Sequence, residues 1–242
     1  MILKKLFDAS VDLASQIVEN GGEISRAEET VYKICSFAGA SEVNVFIIPS
    51  LIYASAVING QRYSSAKRIY KNEMNLGALE EANNISRKIC RESYNEKPID
   101  YNYSPIVRIL CTVLATASFC IYFGGTPVDA IFSGLSGILI GNIPYKNREF
   151  NIFSKTLIEA TASAALAFLP LAFGISVNPD KIMIGTIMLF IPGMSIGSSI
   201  RDLMSGNLVA GILQLTEALF TALAIALGYS AVLILTGGEL FG

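Results

Sequence analysis

The spacing of apolar residues changes character near residue 104. Before it, they recur at helical or strand period between polar positions; after it, they run on in long blocks. Leu3, Leu6, Phe7, Leu13, Ala14, Ile17 and Val18 share one face of a helix over Leu3–Asn20, which Gly21-Gly22 stops. Ser25, three residues before Glu28, has the spacing of a capping box and opens a second helix that runs to Phe37 and is closed by Gly39. Val43–Ile58 is rich in Val, Ile, Phe and Tyr; Pro49-Ser50 divides it into two strands, a candidate hairpin, and Asn59-Gly60 ends the second. Helical patterns return over Ser64–Asn72 and Leu76–Glu92, and Asn95–Pro105 is a polar linker carrying Pro98 and Pro105. Residues 1–104 thus predict a small α+β domain.

Beyond the linker, apolar blocks fall at 106–123, 128–143, 153–173, 182–200 and 208–235. A helix needs about 20 apolar residues to cross a bilayer, so the second block is short and the fifth long. The expected fold is an α-helical polytopic membrane protein of about five transmembrane helices in residues 105–242, with an N-terminal cytoplasmic α+β domain in residues 1–104. Charge agrees with this division: 25 of the 38 charged side chains lie in residues 1–104 and 13 beyond. With the N-terminal domain in the cytoplasm, the inner side collects Arg108, Lys146, Arg148, Lys155 and Arg201 and the outer side only Lys181, which sets the orientation and puts the C-terminus outside a cell (inner) membrane. Tyr101, Tyr103, Tyr122, Tyr145 and Tyr229 are the candidate interfacial aromatics of a chain without Trp.

Composition then narrows the chemistry. A hydrophobic fraction of 52% and a net charge of −2 fit a membrane protein and leave no electrostatic footprint for nucleic acid. There is no histidine, which removes His-based triads, His-based zinc sites and the commonest near-neutral proton carrier; proton coupling would fall to carboxylates. Cys35, Cys90, Cys111 and Cys120 form no C-x-x-C and read as small buried hydrophobes. Asp8 and Asp12 interrupt the N-terminal apolar residues, so no cleaved signal is expected. No metal or cofactor is expected.

The few polar groups within the apolar blocks carry the functional question. Glu217 lies roughly 15 Å into the fifth span at the rise of an α-helix. Ala210, Gln214, Glu217, Thr221, Ala224 and Gly228 share its face, and Leu208, Ile212, Leu215 and Leu219 point elsewhere. An ionisable group on a small, polar face marks a cavity or a proton carrier, against the alternative of a structural interhelix hydrogen bond. Glu159 shares a face with Thr156, Ser163, Ala167 and Pro170; it is either a pathway group or a side chain snorkelling to the interface. Pro192-Gly193 predicts a broken helix, a feature tolerated at membrane depth when it is buried in protein or lines a cavity. Arg201-Asp202 is a candidate gate or anion contact, or a loop salt bridge. Asp129, after Thr126-Pro127, caps the second span. Ala130, Gly134, Gly137 and Gly141, and Gly193 with Gly197, form small-residue stripes that suit close helix approach as well as a transport path. In the polar half, Gly21-Gly22-Glu23-x-x-Arg26-x-Glu28 suits either a ligand or partner site or a helix corner.

That last pattern, together with Pro192-Gly193, Arg201-Asp202-Leu203-x-x-Gly206, Gly211 and Glu217-Ala218 in this order, resembles the threonine/serine exporter (ThrE) family over nearly the whole chain. The resemblance implies export of small hydrophilic metabolites, threonine and serine in some members and succinate in others. It further implies that this chain, ending after its fifth block, is the larger subunit of a split two-component exporter. A second small membrane subunit would complete it, with oligomerisation expected. The substrate and ion path would run near Pro192, Gly193, Arg201, Asp202, Gln214, Glu217 and Glu159, and the cytoplasmic motif would be Gly22, Glu23, Arg26 and Glu28. Two other readings stay open from the residues: a membrane-anchored enzyme acting near Glu23, Arg26 and Glu28, and a non-transporting regulatory or assembly subunit. Against the enzyme, no nucleophile–base pair, metal set or phosphate-binding glycine loop is visible.

Overall fold

The structure, a computed structural model, describes residues 2–70, 74–90, 104–142 and 152–236. The Asn95–Pro105 linker up to residue 103, Tyr101, Tyr103, Tyr145, Lys146, Arg148, the surroundings of Gly141 and residues 237–242 lie outside the described residues. The chain forms two compact units, one from Met1–Asn102 with Gly193–Thr216 and the other from Tyr103–Pro192 with Glu217–Gly242.

In the first unit, α1 (Ile2–Glu19) buries Phe7, Val11, Ala14, Ile17 and Val18. Its end is a Schellman turn: Gly21, at φ +79°, donates to Val18 O and Gly22 donates to Ile17 O. Gly22 also has no room for a side chain, since a Cβ there would stand 2.5 Å from Ile17 Cγ2 and 2.8 Å from Leu79 Cδ1. Next come α2 (Ile24–Phe37) and an antiparallel meander of β1 (Ala40–Ile48), β2 (Leu51–Ile58) and β3 (Gln61–Arg68). α3 (Leu76–Ile89) follows, capped by Asn75, whose side chain accepts from Ala78 N at 3.1 Å. Ile47, Ile52, Ala54, Ala56 and Ile58 bury one face of the sheet in a core shared with α1 and α2.

Two local expectations fail here. The helix expected over Ser64–Asn72 is replaced by strand β3. Asn59 (φ 50°) and Gly60 (φ 76°) make a two-residue turn of the hairpin-forming type, which returns the chain alongside β2 in the register Ile58↔Gln61, Ala56↔Tyr63 and Ile52↔Lys67. Backbone pairing overrides the weak side-chain pattern of this polar edge strand. The capping box at Ser25 is also absent: Glu23 is the N-cap residue of α2 and makes no side-chain cap.

The same unit holds α8 (Gly193–Met204) and the start of α9 (Leu208–Leu235). Gly206, at φ +89°, turns the chain between them. Gly211 lets the two helices cross closely, because a Cβ there would lie 2.9 Å from Ser199 O. Ala210 joins the core of the N-terminal elements.

The second unit contains α4 (Pro105–Tyr122), α5 (Pro127–Asn142), α6 (Ile152–Ala172), α7 (Pro179–Phe190) and the rest of α9. Ile106, Leu110, Leu114 and Ile121 of α4 are exposed, as befits side chains that face lipid. Among the described residues, α4, α6 and α9 are each long and apolar enough to cross a membrane, and α7 with α8, taken as one broken span, would make a fourth. The expected second span, α5, has 16 residues, or about 24 Å of helix against a hydrocarbon core of about 30 Å. The block over 182–200 is broken at the predicted Pro192-Gly193: α7 ends at Phe190, Ile191 is extended (φ −60°, ψ 120°), and Pro192 has no N–H with which to continue the ladder.

Small residues on α5 serve packing. A Cβ on Gly134 would come 3.2 Å from Val113 Cγ1, and one on Gly137 2.8 Å from Thr116 Oγ1. Gly193 and Gly197 do not follow the same rule, since a Cβ on either meets nothing within 4 Å. Asp129 does cap α5, in a reciprocal box: its carboxylate accepts from Thr126 N and Oγ1 at 2.8 Å, and Thr126 Oγ1 accepts from Asp129 N at 3.3 Å. Its oxygens also hold Asn178, through the backbone N–H at 2.8 Å and the side-chain amide at 3.0 Å.

Candidate functional site

Two motifs separated by most of the chain meet inside the first unit. The N-terminus of α2 presents its first backbone N–H groups without a local side-chain cap. The carboxylate of Asp202, on α8, supplies the cap instead. It accepts from Ile24 N and Ser25 N at 3.4 Å each and from Gln214 Nε2, on α9, at 3.2 Å. Asp202 is fully buried, and a buried carboxylate is tolerated where a helix N-terminus and an amide surround it. The neighbouring Arg201 reaches Glu23 in a charge-assisted hydrogen bond, with Arg201 mostly exposed. Gln214 also accepts from Ser198 Oγ at 3.2 Å, so the amide bridges two polar side chains of α8.

Glu28 lies one turn further along α2. Burial raises its carboxyl above the usual carboxylate range; the Ile47 backbone N–H and the Asn207 side chain oppose the shift, and the charge of Asp202 adds to it. A cleft of about 300 Å³ opens beside this corner, lined by Glu23, Arg26, Leu76, Gly197, Ser198 and Arg201 among others. Of the residues expected to form the cytoplasmic motif, Glu23 and Arg26 line the cleft, Gly22 serves the turn as well as the cleft wall, and Glu28 lies beside Asp202.

The second unit has its own polar groups. Glu159 is buried on the α6 face that also buries Thr156, Ser163, Ala167 and Pro170, with Lys155 Nζ 3.5 Å from its Oε1. It does not snorkel to an exposed position. Tyr229, expected among the interfacial aromatics, is buried instead: its hydroxyl joins Ser163 Oγ at 2.9 Å to Thr186 Oγ1 at 2.7 Å. A buried phenol needs partners, and α6 and α7 supply them. These hydroxyls carry no sequence signal beyond helical spacing, so the cluster was not legible before the helices were placed.

Glu217 is half-buried on the α9 face with Thr221, Ala224 and Gly228, as its spacing predicted, and Leu208, Ile212 and Leu219 on the other faces are exposed. Among the described residues its carboxylate has no hydrogen-bond or ion-pair partner; only its backbone carbonyl is used, by Thr221 Oγ1 at 2.9 Å. Pro192 marks the break between α7 and α8, and Gly193 begins α8. Among the described residues no group of three or more Cys, Asp or Glu is placed to hold a metal ion.

The family model described as "Putative threonine/serine exporter" (ThrE) matches residues 8–236. A pheromone-regulated membrane protein 10 of Pichia sorbitophila is 25% identical over 193 residues, which are 76% of this chain and 18% of that protein. The Saccharomyces cerevisiae protein of the same name is 27% identical over 146 residues, 58% of this chain and 37% of that protein. The chain thus spans well under half the length of either relative. No solved structure matches it.

Proposed function

The chain belongs to the threonine/serine exporter (ThrE) family, and from that premise we propose that it is a subunit of an inner-membrane exporter of small hydrophilic metabolites, threonine and serine or succinate-like dicarboxylates. It is a membrane protein, by its family, by relatives that are themselves membrane proteins and by its long apolar helices. The family is one of transporters, and transport rather than catalysis is the activity assigned to it. In this reading five helices span the bilayer, the N-terminal domain of residues 1–104 faces the cytoplasm, and the C-terminus lies outside. A second small membrane subunit completes the path, and the assembly is oligomeric.

The observation that carries the reading is the junction of the two motifs through Asp202 and Arg201. The helix that follows the Pro192-Gly193 break is tied by its last turn to the start of α2, through Ile24 N, Ser25 N and Glu23. Helix breaks of this kind serve transporters as places where a path opens. A contact that holds the segment after the break to a polar domain would let the domain sense or set its position. Glu217, a carboxylate without a partner among the described residues and on a small and polar helix face, is the proton-coupling group in this reading.

The test is efflux of radiolabelled threonine, serine and succinate from preloaded cells, with this chain alone and with a small membrane protein encoded beside it. Efflux is expected only with both. Glu217→Gln is expected to abolish gradient-driven efflux while the protein remains folded in the membrane; normal efflux from that variant would remove Glu217 from the coupling step.

A further inference from the structure

We propose that the cleft beside the Gly21–Glu28 corner binds a small carboxylate, with Arg26 and Arg201 as its cationic partners and Glu23 as the internal carboxylate it displaces. The inference deepens the export reading and rests on it for the direction in which the solute moves.

The cleft, of about 300 Å³, lies at the small end of the range for ligand pockets and suits a molecule of amino-acid or dicarboxylic-acid size. Its lining joins two guanidinium groups, Arg26 and Arg201, to one carboxylate, Glu23. Arg26 is the third residue of α2, where the helix dipole disfavours a cation, so helix stability does not explain it. Among the described residues its guanidinium has no acceptor, and nearby Glu29 is engaged by Lys33 at 2.6 Å. Arg201 shows what these groups recognise, because Glu23 already supplies it with a carboxylate. That pair is open on its Arg201 side, with 65% of the Arg201 side chain exposed against 23% of Glu23, so a competing carboxylate can approach the guanidinium from solvent and exchange with Glu23. Removing the Glu23 carboxylate leaves the α2 cap intact, since Glu23 makes no side-chain cap. Gly197 keeps the cleft open: a Cβ there meets nothing within 4 Å, so a larger side chain would enter the cleft without striking the backbone.

Binding of succinate and of serine to the purified full-length chain in detergent tests this, with uncharged succinamide as the control. Saturable binding of succinate, serine or both is expected, with none for succinamide; the two arms identify a dicarboxylate or an amino acid as the favoured source of the carboxylate. Glu23→Gln should tighten binding about tenfold, Arg26→Gln should weaken it about tenfold, and Gly197→Leu should abolish it with an unfolding midpoint no lower than that of the unsubstituted chain. No saturable binding to the Glu23→Gln chain, or equal affinity in the Arg26→Gln and Gly197→Leu chains, overturns the proposal. Binding requires no transport, so binding without cellular efflux would sink the export reading alone, and efflux without binding would sink the cleft alone.

Discussion

Asp202 has three hydrogen-bond donors on a carboxylate that no solvent reaches, and two of those donors begin a helix from the far end of the chain. Asp202→Ala would leave Ile24 N, Ser25 N and the Gln214 amide without an acceptor. We expect it to destabilise the first unit by about 2 kcal/mol and to speed amide exchange at Ile24 and Ser25, with Asp202→Asn less severe because its amide oxygen still accepts. Exchange rates at those two amides, unchanged in Asp202→Ala, would remove the cap. Glu28 gives a pH prediction. Its folded carboxyl is raised by burial above the unfolded value, so the folded state binds the extra proton. Stability is therefore fully present below the unfolded value and falls as pH rises through the folded one. Glu28→Gln keeps an acceptor for Ile47 N–H and should flatten this dependence, read as thermal midpoints measured from pH 4 to pH 7 in detergent.

At the scale of elements, glycines that look alike in the sequence separate into two kinds. Gly185 on α7 sits where a Cβ would lie 2.5 Å from Ser133 Oγ and 2.8 Å from the Thr116 carbonyl, so Gly185→Ala must push helices apart and should cost about 1–3 kcal/mol. Gly197 on α8 is open, and Gly197→Ala should raise stability by up to about 1 kcal/mol through helix propensity. Thermal melting of both variants in one detergent checks the pair, and a similar loss in both would refute the distinction. The helical segments were legible because α1, α2 and α3 carry apolar faces at helical period and the membrane helices carry long apolar runs. Strand β3 was not, because its sequence, Gln61–Arg68, is polar apart from Tyr63 and Ala66 and its conformation is imposed by the Asn59-Gly60 turn and pairing with β2.

For the whole molecule, the number of crossings decides the side on which the chain ends. Three or five place the termini on opposite sides of the bilayer, and four place them on the same side. Reporter fusions at the two ends should report an inside N-terminus and an outside C-terminus; two ends inside would point to four crossings and to the broken α7–α8 pair as a span beside α4, α6 and α9. The compact unit built on residues 1–102 also takes in residues 193–216. This matters for dissection, because a fragment ending near residue 104 would lack Asp202 and leave the start of α2 uncapped.

Local period and composition determined much of this protein from the sequence alone: which stretches are helices, apart from the polar strand read as one over Ser64–Asn72, where the apolar blocks begin, that Pro192-Gly193 interrupts one of them, that Asp129 caps another, and that Glu217 sits on a small and polar face. Each depends on neighbours within a few turns of the chain, and such neighbours are written next to one another. Only the tertiary structure decided that Asp202 caps α2, that Glu23 meets Arg201, that Tyr229 is buried between Ser163 and Thr186, and which glycines are pressed and which are open. Those depend on groups brought together across long stretches of chain. A carboxylate reads the same in a sequence whether water or a helix N-terminus completes its hydrogen bonds.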